Sequence, residues 1–278
     1  MVNTMKTIVA KTMCIFLTLY LYSASTVIAS DTVSNTIVVT TSMLEHAVRN
    51  VLPASETVKL VRMIPPGSCP GHFDLSPQIV PVLREAIIII RHDYQGSLGD
   101  KITHLGINDV RTLTLSTPGS LVIPSHYAEL TEKIAAILKR EFPDRSDDLS
   151  LAVTQIRTSS LSSGKKILHR AEPWKNISVI ASYQQKDFCE WLGFKVEGVI
   201  NRAENMTPRD IIKLLSSNAE IVIGNLQEGA EAALSLGEKK SIPVAVLSNF
   251  PDAAGYGSGY DQLLEENVNR IEQAWRLR

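Results

Sequence analysis

The apolar runs of this chain fall into two sets, separated by residues 125–171, a stretch with helical periodicity and no strand-like run. That interruption constrains the fold more than any compositional figure. In the first set, residues 36–40 (Thr-Ile-Val-Val-Thr) are short, β-branched and without helical period, the pattern of a buried strand. Ser42 then precedes a helix with Met43, Ala47 and Val51 four residues apart. A second strand is expected over 58–64, a third over 86–90 and a fourth over 110–115, with a helix opening at Ser76-Pro77. The third strand holds four consecutive isoleucines, which suits a parallel strand covered on both faces.

The second set repeats the pattern. Strands are expected over 177–181, 194–199, 219–223 and 244–247, and helices over 184–192 and 261–275. Thr207-Pro208-Arg209-Asp210 opens a further helix, with Thr as cap, Pro at the first position and Asp three residues after the cap. The segment between the sets breaks once, at Phe142-Pro143-Asp144, and continues as a helix over about 147–170 whose middle, 159–164, is weakened by Ser and Gly. The fold class that follows is α/β: two parallel-sheet α/β lobes joined by a single long helix, with a ligand cleft between the lobes. The expected divisions are a signal peptide at 1–29, an N-terminal α/β lobe at 30–124, a bridging helical segment at 125–172 and a C-terminal α/β lobe at 173–278.

The signal peptide rests on order and composition. Lys6 and Lys11 form a positive region, residues 13–22 an apolar one, and Val27-Ile28-Ala29 precede a cut ahead of Ser30. The apolar run falls short of the roughly 20 residues that a transmembrane helix needs. Cys14 stands at the start of that run, where it offers no lipid attachment site. A periplasmic location is expected, and the mature chain carries a net charge of -3, because it loses two lysines and no acid from a total of -1. With 28 Lys+Arg against 29 Asp+Glu and 44% hydrophobic residues, the chain is neither disordered nor a polybasic nucleic-acid binder. Cys69 and Cys189 remain after processing. Their contexts differ, a Pro/Gly-rich loop and a helix, so both are expected as free thiols.

In parallel α/β sheets ligands bind beyond the carboxyl ends of the strands. The richest loop there is 65–74, where Cys69 and His72 lie three residues apart and Pro65, Pro66, Gly67, Pro70 and Gly71 restrict the backbone. A thiolate and an imidazole both suit zinc and other borderline metals. A loop merely shaped by Pro and Gly is the alternative. Asp74 is placed to orient His72. His92 follows the isoleucine strand, and a surface histidine beside Asp93 is an equal reading. From the second lobe Gln184 and Asn249 stand at strand ends and are neutral. His46, His104 and His169 read as structural, His126 as a solvated helix-start residue, and Cys189 as core.

These residues resemble the zinc- and manganese-binding solute receptors of bacterial ABC importers. The resemblance is carried by Val38-Val39-Thr40-Thr41-Ser42, by Ile64-Pro65-Pro66-Gly67 followed by Gly71-His72-Phe73-Asp74 and Leu75-Ser76-Pro77, by the helical bridge, and by Tyr260-Asp261 ahead of the last helix. It covers nearly the whole mature chain. It implies metal held between two lobes by three His, or two His and a carboxylate, and an Asp, with delivery to an ABC permease and its ATPase. His72 matches the first His. No His lies at 118–121, only Tyr183 and Gln184 stand where the third is expected, and Ser248-Asn249 replace the Asp, with Asp252 three residues on. Cys69 and His92 are additional. The chain thus resembles a divergent subgroup, with Cys69, His72, His92, Gln184 and Asn249 as the expected metal site.

The expected function is a monomeric periplasmic receptor capturing a divalent transition metal, zinc or manganese. A metal chelate or small organic ligand is the variant, because fewer anionic ligands weaken binding of a bare dication. A different class is an exported enzyme with Cys69 as nucleophile and His72 or His92 as base. It is disfavoured, since Cys69 is flanked by Pro and Gly and not placed at a helix start that would lower its pKa.

Overall fold

The computed structural model describes residues 35–52, 58–107, 111–116 and 119–278. The expected signal peptide, Val110 of the fourth strand and Pro118 lie outside the described residues.

Each lobe carries a four-stranded parallel sheet. The first contains β1 (Asn35–Val39), β2 (Val58–Arg62), β3 (Ala86–His92) and β4 (Arg111–Leu115), in the order β2-β1-β3-β4. The second contains β5 (Ser178–Ser182), β6 (Lys195–Ile200), β7 (Ile221–Asn225) and β8 (Val244–Leu247), in the same relative order, β6-β5-β7-β8. Parallel neighbours require crossover connections, so every strand in a sheet ends at the same edge. The order reverses direction between β1 and β3 and again between β5 and β7. Such switch points open a crevice at the carboxyl edge of a sheet.

Alternate side chains explain how both faces of each sheet are covered. Ile37 and Val39 enter a large central core that runs through Tyr127, Leu130 and Ile134 to Val179, Ile223 and Leu247 of the second sheet. Val38 and Ile89 face an outer core in the first lobe, and Ile180 and Val222 face its counterpart in the second. Helix α1 (Ser42–Val51) is capped by the Thr41 side chain, and the helix Pro208–Leu215 has the expected capping box between Thr207 and Asp210. The helix expected from Ser76-Pro77 begins at Ile79, because the first bonds, Ile79 N–H to Ser76 and Val80 N–H to Pro77, make tighter turns before it. Helices Gly96–His104 and Glu231–Lys240 were not legible in the sequence. The first contains Gly96 and Gly99, poor helix formers, and Gly99 leaves room for the Arg91 guanidinium.

The segment between the lobes consists of Pro124–Glu141, a short 3-10 turn at Pro143–Arg145, and the 25-residue helix Ser146–Arg170. The long helix runs unbroken through its Ser-rich middle. Its packing accounts for that: Ser160 and Gly164 are buried there, and a Cβ on Gly164 would lie 3.2 Å from Pro124 Cγ and 3.6 Å from Trp191. Glycine therefore lets this helix seat tightly against the start of the preceding helix, while Trp191 of the second lobe lies at ordinary contact distance. Among the described residues no helix is long and apolar enough to cross a membrane.

Gly164→Leu is expected to destabilise the fold by about 1–3 kcal/mol, the usual range for overpacking a tight contact. Chemical denaturation of the variant checks this. An unchanged midpoint would mean that the bridge is not seated at Gly164.

Candidate functional site

The first lobe's carboxyl edge is organised by one buried side chain. Gln95 Oε1 accepts from Thr40 Oγ1 (2.7 Å) and from the His92 backbone N–H (2.9 Å), and its Nε2 reaches the Pro70 carbonyl at 3.5 Å. It thereby joins the ends of β1 and β3 to the loop carrying Cys69 and His72. His92 is fully buried. Its Nε2 lies 3.0 Å from Thr41 Oγ1, its Nδ1 has no partner among the described residues, and its ring stacks on Tyr94 with centroids 5.0 Å apart. Burial lowers its pKa from the ordinary 6.5 to about 4, against an opposing pull from Asp93, so the ring is neutral at physiological pH.

In the second lobe, Gln227 has a comparable joining role. Its Nε2 donates to Ser248 Oγ (2.8 Å) and to the Pro66 carbonyl of the first lobe (3.0 Å), while its Oε1 accepts from the Asn249 N–H (3.0 Å). Gln185 Nε2 donates to Asn249 Oδ1 (2.9 Å). A second inter-lobe tie is ionic. Asp252 meets His46 Nε2 at 3.0 Å and Arg62 Nη1 at 2.9 Å, and Arg62 also holds Glu45 at 2.7 Å. Partial burial would raise the Asp252 pKa, but hydrogen bonds from His46, Ser258 and Arg62 together with the His46 charge hold it below its ordinary value. His46, read as structural, thus helps close the lobes on each other, and Asp252 is engaged there.

Between the lobes lie two adjoining cavities of about 420 and 360 Å³. Both are walled by Tyr94 from the first lobe and by Tyr183, Gln184 and Asn249 from the second. Tyr94 and Tyr183 are 56% and 61% exposed, unusual for aromatic side chains, and they follow β3 and β5, one beside each switch point. The smaller cavity also meets Cys69, Asn225, Glu228 and Arg202. The sequence-predicted residues therefore separate. Cys69, Gln184 and Asn249 line the cleft. His72 is exposed beside it, and His92 lies outside both cavity walls, stacked on Tyr94.

Cys69 and His72 do converge, but on a guanidinium. Arg202, just past β6, places Nη1 3.1 Å from His72 Nε2 and Nη2 3.9 Å from Cys69 Sγ. Arginine only donates, so His72 Nε2 accepts, and its lone pair is occupied. Gly71 permits this approach: a Cβ there would stand 3.3 Å from Arg202 Nη2. Glu228 Oε1 lies 3.4 Å from Arg202 Nε, a long contact. Asp74, expected to orient His72, pairs with Lys101. Both imidazoles expected as bases for a Cys69 nucleophile have other partners, Arg202 and Thr41. Cys69 and Cys189 are free thiols, and the fully buried Cys189 has its pKa pushed up by desolvation. Among the described residues no three His, Cys, Asp or Glu side chains come together as a metal-binding group. Arg202 was missed in the sequence, although its place after the strand over 194–199 was a usable signal.

No protein-family model matches the sequence, and sequence comparison with characterised proteins finds no match. Comparison of structures does. The protein ZnuA superposes with a TM-score of 0.71 at 14% identity, over 87% of this chain and 99% of that one. The laminin-binding protein Lmb of Streptococcus agalactiae, described as having adhesin and metal-transporting activity, gives 0.70 at 12% identity, over 88% and 100%. A manganese-bound variant of a periplasmic metal-binding protein of Candidatus Liberibacter asiaticus gives 0.69 at 12%, over 86% and 98%. The fold is shared with these proteins. The two lobes and the helical bridge that the sequence pattern implied are those of these proteins.

Because His92 is buried neutral, its unfolded form takes up a proton that its folded form refuses between pH 6.5 and about 4. Its contribution to stability is complete above 6.5 and is lost as pH falls towards 4, on the order of 3 kcal/mol across that window. Urea unfolding at stepped pH should show this slope, and His92→Gln should flatten it. An equal slope in the variant would place the acid sensitivity in other groups.

Proposed function

We propose that this chain is an exported solute receptor that captures its ligand between the two lobes and presents it to an ABC permease and its ATPase. The observation that carries the reading is the pair of cavities at the carboxyl edges of both sheets, walled from both lobes. The shared fold with ZnuA and Lmb supports the same class of task. The export signal expected at residues 1–29 supports a periplasmic place for such a receptor.

Metal enters here as cargo. We infer that zinc or manganese reaches this cleft inside a complex that brings part of its own coordination shell. Cys69 and His72 are the first lobe's expected metal donors, and both face Arg202. A cation held by these two would stand beside that guanidinium, and two unit charges 4 Å apart repel by about 4 kcal/mol near a protein surface, more for a dication. Gln184 and Asn249 complete the lining with neutral groups. Cavities of about 420 and 360 Å³ fall within the size range of sites for small organic molecules and far exceed the space for an ion.

Calorimetric titration of the mature chain compares zinc and manganese as salts with the same metals supplied as small-molecule chelates. The reading expects a chelate to bind at least about tenfold more tightly than either salt, a difference of about 1.4 kcal/mol. Salts that bind as tightly as their chelates would return the site to a bare-ion receptor.

A further inference from the structure

We propose that the cleft recognises a carboxylate group of its ligand, with Arg202 as the anchoring cation and Asn225 as a second donor. This rests on the solute-receptor reading and names the chemistry that the receptor selects. Three independent features point to it. The first is charge. In the smaller cavity Arg202 meets one acid, Glu228, at a 3.4 Å contact to Nε. The two terminal nitrogens face Cys69 Sγ and His72 Nε2, weak or neutral acceptors that a carboxylate readily replaces. A guanidinium with both Nη atoms on one side presents the fork that a carboxylate binds in bidentate fashion.

The second is an unmatched donor. Asn225 is fully buried at the end of β7 and lines the same cavity. Its Oδ1 is engaged by the Glu228 N–H at 2.9 Å, which fixes the amide's orientation, and its Nδ2 has no partner among the described residues. A buried N–H left unpaired is costly, so a site that carries one calls for an acceptor from the ligand. An oxygen of the bound group supplies it, whereas a metal cation would face the donor end of the amide.

The third is the aromatic pair. Tyr94 and Tyr183 both border both cavities from opposite lobes and remain more than half exposed. They offer apolar faces to the organic body of a ligand whose anionic end lies at Arg202. A bare ion has no use for such faces.

The carboxylate has two sources, the chelator in a metal complex or a free organic acid. Zinc citrate, citrate alone and zinc bound to 1,10-phenanthroline, a neutral chelator, separate them in calorimetric titrations. Three proteins are compared: the unaltered mature chain, Arg202→Gln and Arg202→Lys. Zinc citrate is expected to lose about ten- to hundredfold in affinity with Arg202→Gln and less with Arg202→Lys, which keeps the charge without the fork. Zinc as its salt should instead bind Arg202→Gln more tightly, because the repelling charge beside Cys69 and His72 is gone. These opposite signs cannot come from a misfolded variant, which loses both. Binding of citrate alone as tight as zinc citrate supports the carboxylate and overturns the chelate reading. Zinc citrate that binds equally well to Arg202→Gln and to the unaltered chain overturns the carboxylate anchor and leaves the chelate reading standing. Binding of the phenanthroline complex with no binding of either citrate probe, or no binding of any probe, overturns the anchor as well.

Discussion

Everything at the cleft depends on the parallel strands. A parallel pair cannot be joined by a tight turn, so each crossover returns the chain to the far edge and all strand ends in a lobe collect on one side. Both sheets have the same relative order, and both reverse between their first and third strands. Contacts across the gap therefore come from the loops at those edges: Ser42 donates to the Pro251 carbonyl, Gln227 to that of Pro66, and Tyr94 and Tyr183 border the same cavities. Two glutamines, Gln95 and Gln227, hold these loops. One fastens the loop at Pro70 to the first sheet, and the other reaches from the second lobe to the Pro66 carbonyl. The loop that holds Cys69 and His72 is thus held from both sides.

Within this frame a guanidinium, Arg202, stands beside Cys69 and His72. Where the resemblance in sequence implies His and Asp, amides and a tyrosine stand. Arg202 lies just past an edge strand, β6, which the switch-point rule does not single out, yet its side chain is long enough to reach the opposite lobe. Asp252, the nearest acid to the replaced Asp position, is occupied with His46 and Arg62 and serves to tie the lobes. On the proposed reading the same fold supports a site of inverted polarity, with function residing in the site and not in the architecture.

The fold was legible because its signals are local and redundant. The isoleucine run at 87–90, the capping box at Thr207 and the break at Phe142-Pro143 each point to one element, and the eight strands among the described residues lie within a few residues of their expected places. Helix Gly96–His104 was hidden because glycine masks a helix that tertiary contact supports. The site was legible only in part. Loop 65–74 was placed at the cleft by topology, and Cys69 and His72 were paired by their spacing. What the sequence could not show is that a residue 130 positions away occupies the imidazole they would offer to a metal. Nor could it show that His92, at a strand end as expected, turns inward to Thr41. Spacing reports which side chains are near in the chain, and only packing decides what each one faces.

The central claim is that the cleft holds an organic, anion-bearing ligand and not a bare ion. Native mass spectrometry of the protein recovered from the exported fraction of cells, without denaturation or added ligand, tests it most directly. The account predicts a bound mass greater than that of a single metal ion, released together with an acidic small molecule on unfolding. A bound mass equal to one zinc or manganese atom would contradict it.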